Sequence, residues 1–139
     1  MIRVEETRDL ALPLEIRRVV FILGQNVSLE EEIDGLDPEA LHLLAFDGGT
    51  PVGTARILLG EGYGKIGRVA VLEEARGKGA GLALMRAAVE RLKAEPGIRE
   101  ARLGAQTHAL AFYERLGFEA HGPVYDDAGI PHRDMRLAL

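Results

Sequence analysis

The residues best suited to chemistry lie in a glycine-rich turn between an apolar, β-branched run and a helix-forming segment. The turn is Arg76-Gly77-Lys78-Gly79-Ala80-Gly81, and Val69-Ala70-Val71 precedes it. Its glycines allow positive φ angles and let a ligand approach bare backbone. A helix that starts here offers unpaired N–H groups and a partial positive charge, to which Arg76 and Lys78 add full charges. The segment predicts either a phosphate-binding loop or an ordinary left-handed turn before a solvated helix end.

The spacing of the glycines separates this turn from two common nucleotide loops. The sequence lacks Gly-x-Gly-x-x-Gly, and Lys78 is followed by Gly79 instead of the Ser or Thr of nucleoside triphosphate loops. A nucleotide-binding regulator is therefore disfavoured. Arg76, Gly79 and Gly81 do form an Arg-x-x-Gly-x-Gly pattern, which resembles the acyl-CoA pyrophosphate loop of the GNAT family of N-acetyltransferases.

A second motif, THALAFYERLGF at residues 107–118, contains a group that can donate a proton. Thr107 suits a helix N-cap, and Gly117 suits the position after a helix end. On its own, Tyr113 is more simply a packing tyrosine with a satisfied hydroxyl. The motif nevertheless resembles the second GNAT signature, a short helix with Phe-Tyr that closes with Leu-Gly-Phe. Both signatures in the expected order favour this family. The residues placed for a partly buried face are Leu110, Phe112, Tyr113 and Leu116.

The hydrophobic periodicity predicts an α/β architecture, a mixed and mostly antiparallel sheet flanked by helices, similar to the GNAT fold. Ligands of open α/β sheets bind past the carboxyl ends of the strands. In the first helix, Leu14, Ile16 and Leu23 are predicted to face the core, together with one of the adjacent residues Val19 and Val20. The predicted strands are 2–6, 41–46, 52–59, 65–72, 98–104, 118–124 and 132–138, and the predicted helices are 10–25, 79–94 and 107–116.

Length and composition predict one cytoplasmic domain, residues 1–139, with 47% hydrophobic residues. A formal net charge of −5 and the lack of a lysine-rich block argue against a nucleic-acid partner. No apolar run approaches the length of about eighteen residues that suggests a membrane span, and the first residues lack the apolar stretch of a signal peptide. Zero cysteines exclude disulfides, thiolate metal sites and a cysteine-linked acyl intermediate. We expect no metal.

The resemblance implies that acetyl-CoA is the cosubstrate and that it binds where two neighbouring strands splay apart. Backbone groups of Val69 and Val71 would bond the pantetheine arm, and N–H groups of the glycine turn would hold the pyrophosphate. The acceptor amine would attack the thioester directly, and Tyr113 would protonate the departing thiolate. Gln106 stands where many members carry asparagine, seven residues before the tyrosine, and would need a longer reach to the cofactor. The implied cofactor-binding residues are Val69, Ala70, Val71, Arg76, Gly77, Lys78, Gly79, Ala80, Gly81 and Gln106.

The general base and the acceptor site have weaker signals. Five acids in eight residues, Glu30 to Asp37, could attract a cationic amine if their loop flanks the acceptor site, although simple solvation is the alternative for most of them. The segment Gly129-Ile130-Pro131-His132 resembles the ending of the ElaA-like subgroup. Glycine and proline also make a plain turn, so only His132 there suggests a function. Candidate bases include His42, His108, His121 and His132, and the expected acceptor-site residues are Glu31, Glu32, Asp34, His42 and His132.

Two classes of function follow from these patterns. The first is an N-acetyltransferase that acts on a primary amine of a small molecule or peptide. The second is a catalytically silent acyl-CoA-binding module that acts as a sensor or scaffold. Tyr113 favours the enzyme, because a silent module has no need of an ionisable hydroxyl there. The family resemblance also implies a possible homodimer.

Overall fold

The computed structural model describes residues 1–139 and contains one seven-stranded sheet in the order β1-β2-β3-β4-β5-β7-β6. Every pair of neighbouring strands is antiparallel except β4 and β5, which are parallel. The predicted mixed and mostly antiparallel sheet is confirmed. The strands are β1 Ile2–Thr7, β2 Leu41–Asp47, β3 Thr50–Leu59, β4 Tyr63–Val71, β5 Glu100–Gln106, β6 Glu119–Asp127 and β7 Ile130–Ala138, and the helices are α1 Ala11–Arg17, α2 Leu29–Glu32, α3 Ala80–Lys93 and α4 Leu110–Arg115.

The parallel strands β4 and β5 pair over only three residues before they separate. Their register runs from Tyr63 opposite Glu100 to Lys65 opposite Arg102 and ends there. Soon after, two residues of β4 face a single residue of β3, and Arg68 within this bulge has a φ of 49°. A bulge bends a strand and increases its local twist. The bend carries the rest of β4 away from β5 and opens the sheet. Two neighbouring strands therefore splay apart, as the family resemblance implied.

Helix α3 covers the sheet with a stripe of apolar side chains. Leu84, Met85, Ala88 and Leu92 are fully buried and belong to the main core. Their spacing follows the helical repeat predicted for residues 79–94. Gly64 on β4 has no side chain because Leu92 occupies that space, and a Cβ there would lie 2.1 Å from Leu92 Cδ2. The close contact fixes the distance between α3 and the strand that leads into the bulge.

We expect Gly64→Ala to destabilise the protein by about 1–3 kcal/mol, because an added methyl overpacks this contact. Gly67→Ala on the same strand is the matched control, since a Cβ at Gly67 meets nothing within 4 Å. Urea unfolding of both variants checks the prediction. Equal stability of the two variants would contradict it.

The first helical segment differs from its prediction as one helix over residues 10–25. Regular α1 ends at Arg17, and Arg18–Leu23 is π-helical. The wider π turn has i→i+5 hydrogen bonds, so the 3.6-residue spacing no longer predicts which side chains face inward. Ile16 and Val20 are buried, whereas Val19 is 36% exposed and Leu23 is 63% exposed. Of the two adjacent valines, Val20 therefore faces the core, and the predicted inward orientation of Leu23 is wrong.

The start of the Phe-Tyr helix also differs from its prediction. Thr107–Ala109 forms a 3-10 turn, and α4 begins at Leu110 without a side-chain cap. Thr107 is thus not an N-cap. Gly117 has the positive φ of 98° expected after a helix end, and the predicted apolar face packs against the main core.

Candidate active site

A cleft of about 490 Å³ occupies the opening between β4 and β5. One wall is β4 from Lys65 to Val71, and the other is formed by the end of β5 and Tyr113 of α4. The π-helical segment, α2 and the β6–β7 hairpin complete its rim. A second depression of about 340 Å³ lies over the glycine turn and shares Val71 and Arg76 with the cleft. The two spaces adjoin, so an elongated ligand can occupy both.

The glycine turn adopts the left-handed backbone that its composition predicts. Gly77 and Gly79 have φ angles of 81° and 86°, and Gly79 is the N-cap residue immediately before α3. No side chain caps the first turn of α3, so its N–H groups are available to an anion. Arg76 Nε donates to the Val71 carbonyl at 3.2 Å, and Lys78 Nζ lies 3.3 Å from Asp47 Oδ2. The geometry suits a phosphate cradle.

Tyr113 lies on α4 and lines the cleft. Its ring packs edge-on against Phe112 at 5.0 Å and against Phe118 at 6.3 Å between centroids. Burial raises the pKa of its hydroxyl, and no hydrogen bond to a protein group counteracts that effect. A phenol with a raised pKa stays protonated at neutral pH. Tyr113 can therefore donate its proton to a group bound in the cleft.

Gln106 lies at the end of β5 and lines the cleft, but its side chain is already engaged. Gln106 Nε2 donates to Gln25 Oε1 at 3.0 Å, and Gln25 Nε2 returns a bond to Gln106 Oε1 at 3.4 Å. His108 Nε2 approaches the same Gln106 oxygen at 2.6 Å. The amide pair joins the π-helical side of the cleft to β5. A cofactor contact from Gln106 stays a prediction and requires that one of these bonds be exchanged.

Most carboxylates of the acidic loop that was expected to attract an amine are held in buried or partly buried ion pairs. Arg17 is 1% exposed, and its Nε lies 2.5 Å from Oε1 of Glu32, which is 2% exposed. Arg17 Nη1 also donates to Asp37 Oδ1 at 2.7 Å. Charges that leave water are stable only when they are paired and hydrogen-bonded. Glu32 borders the cleft, but its charge is neutralised within the protein.

Two further arginines complete this charge network. Arg56, which is buried, donates from Nη2 to Asp34 Oδ2 at 2.8 Å and approaches Asp37 Oδ1 at 3.3 Å. Arg68 makes longer contacts, 3.3 Å to Asp34 Oδ2 and 3.5 Å to Glu32 Oε1. The network pairs three arginines with three carboxylates, so its formal charge is zero. Arginines of the same chain balance Glu32, Asp34 and Asp37, so only Glu30 and Glu31 of the acidic run lie outside the network, and attraction of a cationic amine stays a prediction. The members of the network are Arg17, Arg56, Arg68, Glu32, Asp34 and Asp37.

Acid should weaken the network, because protonation of Asp34 removes a negative charge that the folded state stabilises. Hydrogen bonds from Arg56 hold the pKa of Asp34 well below its usual range. A depressed folded pKa gives stability that is present above the unfolded pKa, about 4, and is lost as pH falls through the folded pKa. We expect the free energy of unfolding in urea to fall below about pH 4, and to fall less steeply in Asp34→Asn.

The exposed variant Glu30→Gln is the control for this pH series and should retain the wild-type slope. An Asp34→Asn profile that runs parallel to wild type would contradict the prediction.

The structure separates the other predicted acceptor-site residues into two groups. Glu31 and His132 line the cleft, although Glu31 also accepts from the Ser28 hydroxyl at 2.9 Å. Asp34 and His42 do not line it. His42 is buried, with Nε2 2.9 Å from the Asp37 carbonyl, and belongs to the support of the acidic loop. The structure does not bring His42 to a position where it could contact an acceptor.

Several lining residues were not predicted from the sequence. Arg68 follows from a bulge, whose position depends on how β3 and β4 pair. Tyr125 on β6 lies across Gly104 of β5, where a Cβ would come within 2.4 Å of its hydroxyl. Gly104 was a possible signal, because glycine inside a strand often marks close approach of another group.

The sequence pattern of the acetyltransferase (GNAT) domain family matches residues 18–139. The chain belongs to the GNAT acetyltransferase family. The uncharacterized N-acetyltransferase YjcF of Bacillus subtilis is 41% identical over 121 residues, which cover 86% of each chain. Protein ElaA of Escherichia coli is 35% identical over 127 residues, 88% of this chain and 82% of ElaA. This GNAT protein is therefore an ElaA-like member.

Solved structures support the GNAT fold over nearly the whole chain. The crystal structure of an acyl-CoA N-acyltransferase from Pseudomonas aeruginosa has a TM-score of 0.87 and 32% identity, covering 98% of this chain and 99% of that one. The ElaA crystal structure has a TM-score of 0.86 with the same identity and coverage. None of the helices in this GNAT protein combines the length and hydrophobicity needed to cross a bilayer.

Proposed function

We propose that this GNAT protein transfers an acetyl group from acetyl-CoA to a primary amine by direct attack. The observation that carries the proposal is the position of Tyr113 in a cleft that adjoins the glycine turn. A pyrophosphate at the turn and a thioester beside Tyr113 require one elongated cofactor, and the adjoining spaces accommodate that shape. Family membership supports acyl-CoA as this cofactor.

The proposed roles follow the cleft from one end to the other. N–H groups between Arg76 and Gly81 bind the pyrophosphate, with the guanidinium of Arg76 beside them. Main-chain groups of Val69 to Val71 bind the pantetheine arm, because β4 has no β5 partner beyond Lys65. The amine nitrogen forms a bond to the thioester carbon, and the carbon–sulfur bond breaks. Tyr113 gives its phenolic proton to the departing thiolate.

The test combines calorimetry with an assay for free thiol. We expect acetyl-CoA to bind saturably, and at least one primary amine to release CoA thiol from it. The chain contains no cysteine, so a thiol-specific dye reports CoA alone without background from the protein. Absence of binding would contradict the proposal. Binding without turnover on a wide panel of amines would instead support a silent acyl-CoA-binding module.

A further inference from the structure

The cleft contains a second group that can transfer a proton, and it would accept a proton where Tyr113 would donate one. Resting on the proposed function, we propose that His132 is the general base, and that its Nε2 removes the proton from the attacking amine. The inference depends on the tautomer of this imidazole, on how its ring is held, and on the engagement of the other titratable groups of the cleft.

A main-chain contact fixes the tautomer of His132. Nδ1 lies 2.7 Å from the carbonyl oxygen of Ile130. A carbonyl only accepts, so Nδ1 must carry the hydrogen and donate it. In the neutral ring the lone pair then resides on Nε2. No protein group bonds to Nε2, and the residue lines the cleft together with Tyr113.

A stacked tyrosine holds the plane of the His132 ring. The rings of Tyr125 and His132 are 5.9 Å apart between centroids with an interplanar angle of 24°. Tyr125 is itself fixed, because its hydroxyl donates to Asp134 Oδ1 at 2.8 Å and lies over the bare backbone of Gly104. The hairpin between β6 and β7 thus presents the imidazole as a rigid group. A general base must be held within hydrogen-bond reach of the proton it takes.

The other titratable groups of the cleft are engaged, exposed or positively charged. Glu32 is paired with Arg17, and Glu31 accepts from Ser28. His108, from the turn after β5, donates from Nε2 to Gln106 Oε1 and so also has an unprotonated Nδ1, but its side chain is exposed and no aromatic ring stacks on it as Tyr125 does on His132. The charged or titratable groups that line the cleft with His132 are Glu31, Glu32, Lys65, Arg68, Arg76, His108, Tyr113, Tyr125 and Asp127, and Asp134 of β7 bonds to Tyr125. Asp127 is an exposed carboxylate and a weaker base than an imidazole.

The proton balance of the reaction closes with these two residues. At pH 7 the amine is an ammonium ion, and it first gives one proton to His132 Nε2. The nitrogen then bonds the acyl carbon, the carbon–sulfur bond breaks, and the sulfur takes the proton of Tyr113. The products are the amide and CoA thiol. The tyrosinate takes the second proton of the nitrogen as the amide forms, and the imidazolium releases its proton to solvent.

The kinetic experiment uses His132→Asn, whose side-chain amide can still donate to the Ile130 carbonyl. With an amine that the wild type acetylates, we expect kcat/KM at pH 7 to fall about 100-fold. The loss should shrink as pH rises toward the range where the amine deprotonates by itself. His121→Asn is the matched control, since His121 lies on β6 outside the cleft, and it should keep the wild-type profile. Acetyl-CoA affinity and the melting temperature of both variants should match wild type.

A nitrogen-15 NMR spectrum of histidine-labelled wild-type protein provides a readout that needs no acceptor. We expect neutral His132 to be protonated at Nδ1 and unprotonated at Nε2. The opposite tautomer overturns the proposal, as does a folded His132→Asn variant that matches wild type at every pH. If wild type binds no acetyl-CoA or acetylates no amine, the proposed function fails and this role fails with it. Turnover by wild type with an unaltered variant rejects the role of His132 alone.

Discussion

Tyr113→Phe should lower kcat about 100-fold or more at neutral pH and leave the dissociation constant of acetyl-CoA unchanged. The substitution removes only the hydroxyl, and the ring contacts with Phe112 and Phe118 remain. Without that hydroxyl, CoA must leave as a thiolate or take its proton from water. The raised pKa of Tyr113 also predicts the alkaline side of the pH profile, because the phenol should keep its proton beyond the usual range of tyrosine.

Tyr63→Phe is the matched control for this prediction. Tyr63 begins β4 and its ring lies under the guanidinium of Arg102 at 3.9 Å, outside the cleft. Stopped-flow or steady-state release of CoA thiol, measured beside calorimetry, separates chemistry from binding. Full activity of Tyr113→Phe would show that another group or water supplies the proton.

Arg17→Met should destabilise the protein by about 3–5 kcal/mol, because it leaves Glu32 and Asp37 buried without their principal partner. Methionine fills most of the space of the arginine stem, so the loss isolates the charge. The expected result is a large fall in the urea midpoint with an unchanged slope. This loss of stability is much larger than the contribution of an exposed ion pair, which is typically about 1 kcal/mol or less.

The neighbouring Arg18 gives an internal control of the same residue type. Arg18 pairs with Glu15 on the exposed side of the helical segment, at 2.6 Å. Arg18→Met should leave the midpoint close to wild type. The triple variant Arg17→Met, Glu32→Gln, Asp37→Asn should recover part of the lost stability, because it removes the buried charges together. Equal effects of Arg17→Met and Arg18→Met would contradict the importance of the network.

The glycine turn and the Phe-Tyr helix could be predicted from sequence because each depends on a short continuous segment. A left-handed turn needs glycine at particular positions, and a helix end needs one as well, so local composition decides both. The sheet could be predicted in outline for the same reason, since alternation of apolar residues marks each strand.

The charge network could not be predicted, because its partners are distant along the chain. Arg17 meets Glu32 and Asp37 at separations of 15 and 20 residues, and Arg56 meets Asp34 at 22. An acidic run is usually solvated, and no local pattern shows that arginines of α1, β3 and β4 converge on it. The π-helical turns were missed for a related reason, since a periodicity of 3.6 residues was assumed beyond Arg17.

Because β4 separates from β5, a ligand can be bound by the main chain of β4 whatever its side chains are. Beyond Lys65, one side of β4 lies inside the protein without a strand beside it. An exposed edge of this kind invites pairing with other chains, but here the π-helical segment, α2 and the β6–β7 hairpin shield it. A ligand that lies along this edge is read by peptide groups, which every amino acid carries. Substitutions along β4 can therefore change its side chains and leave these peptide groups in place.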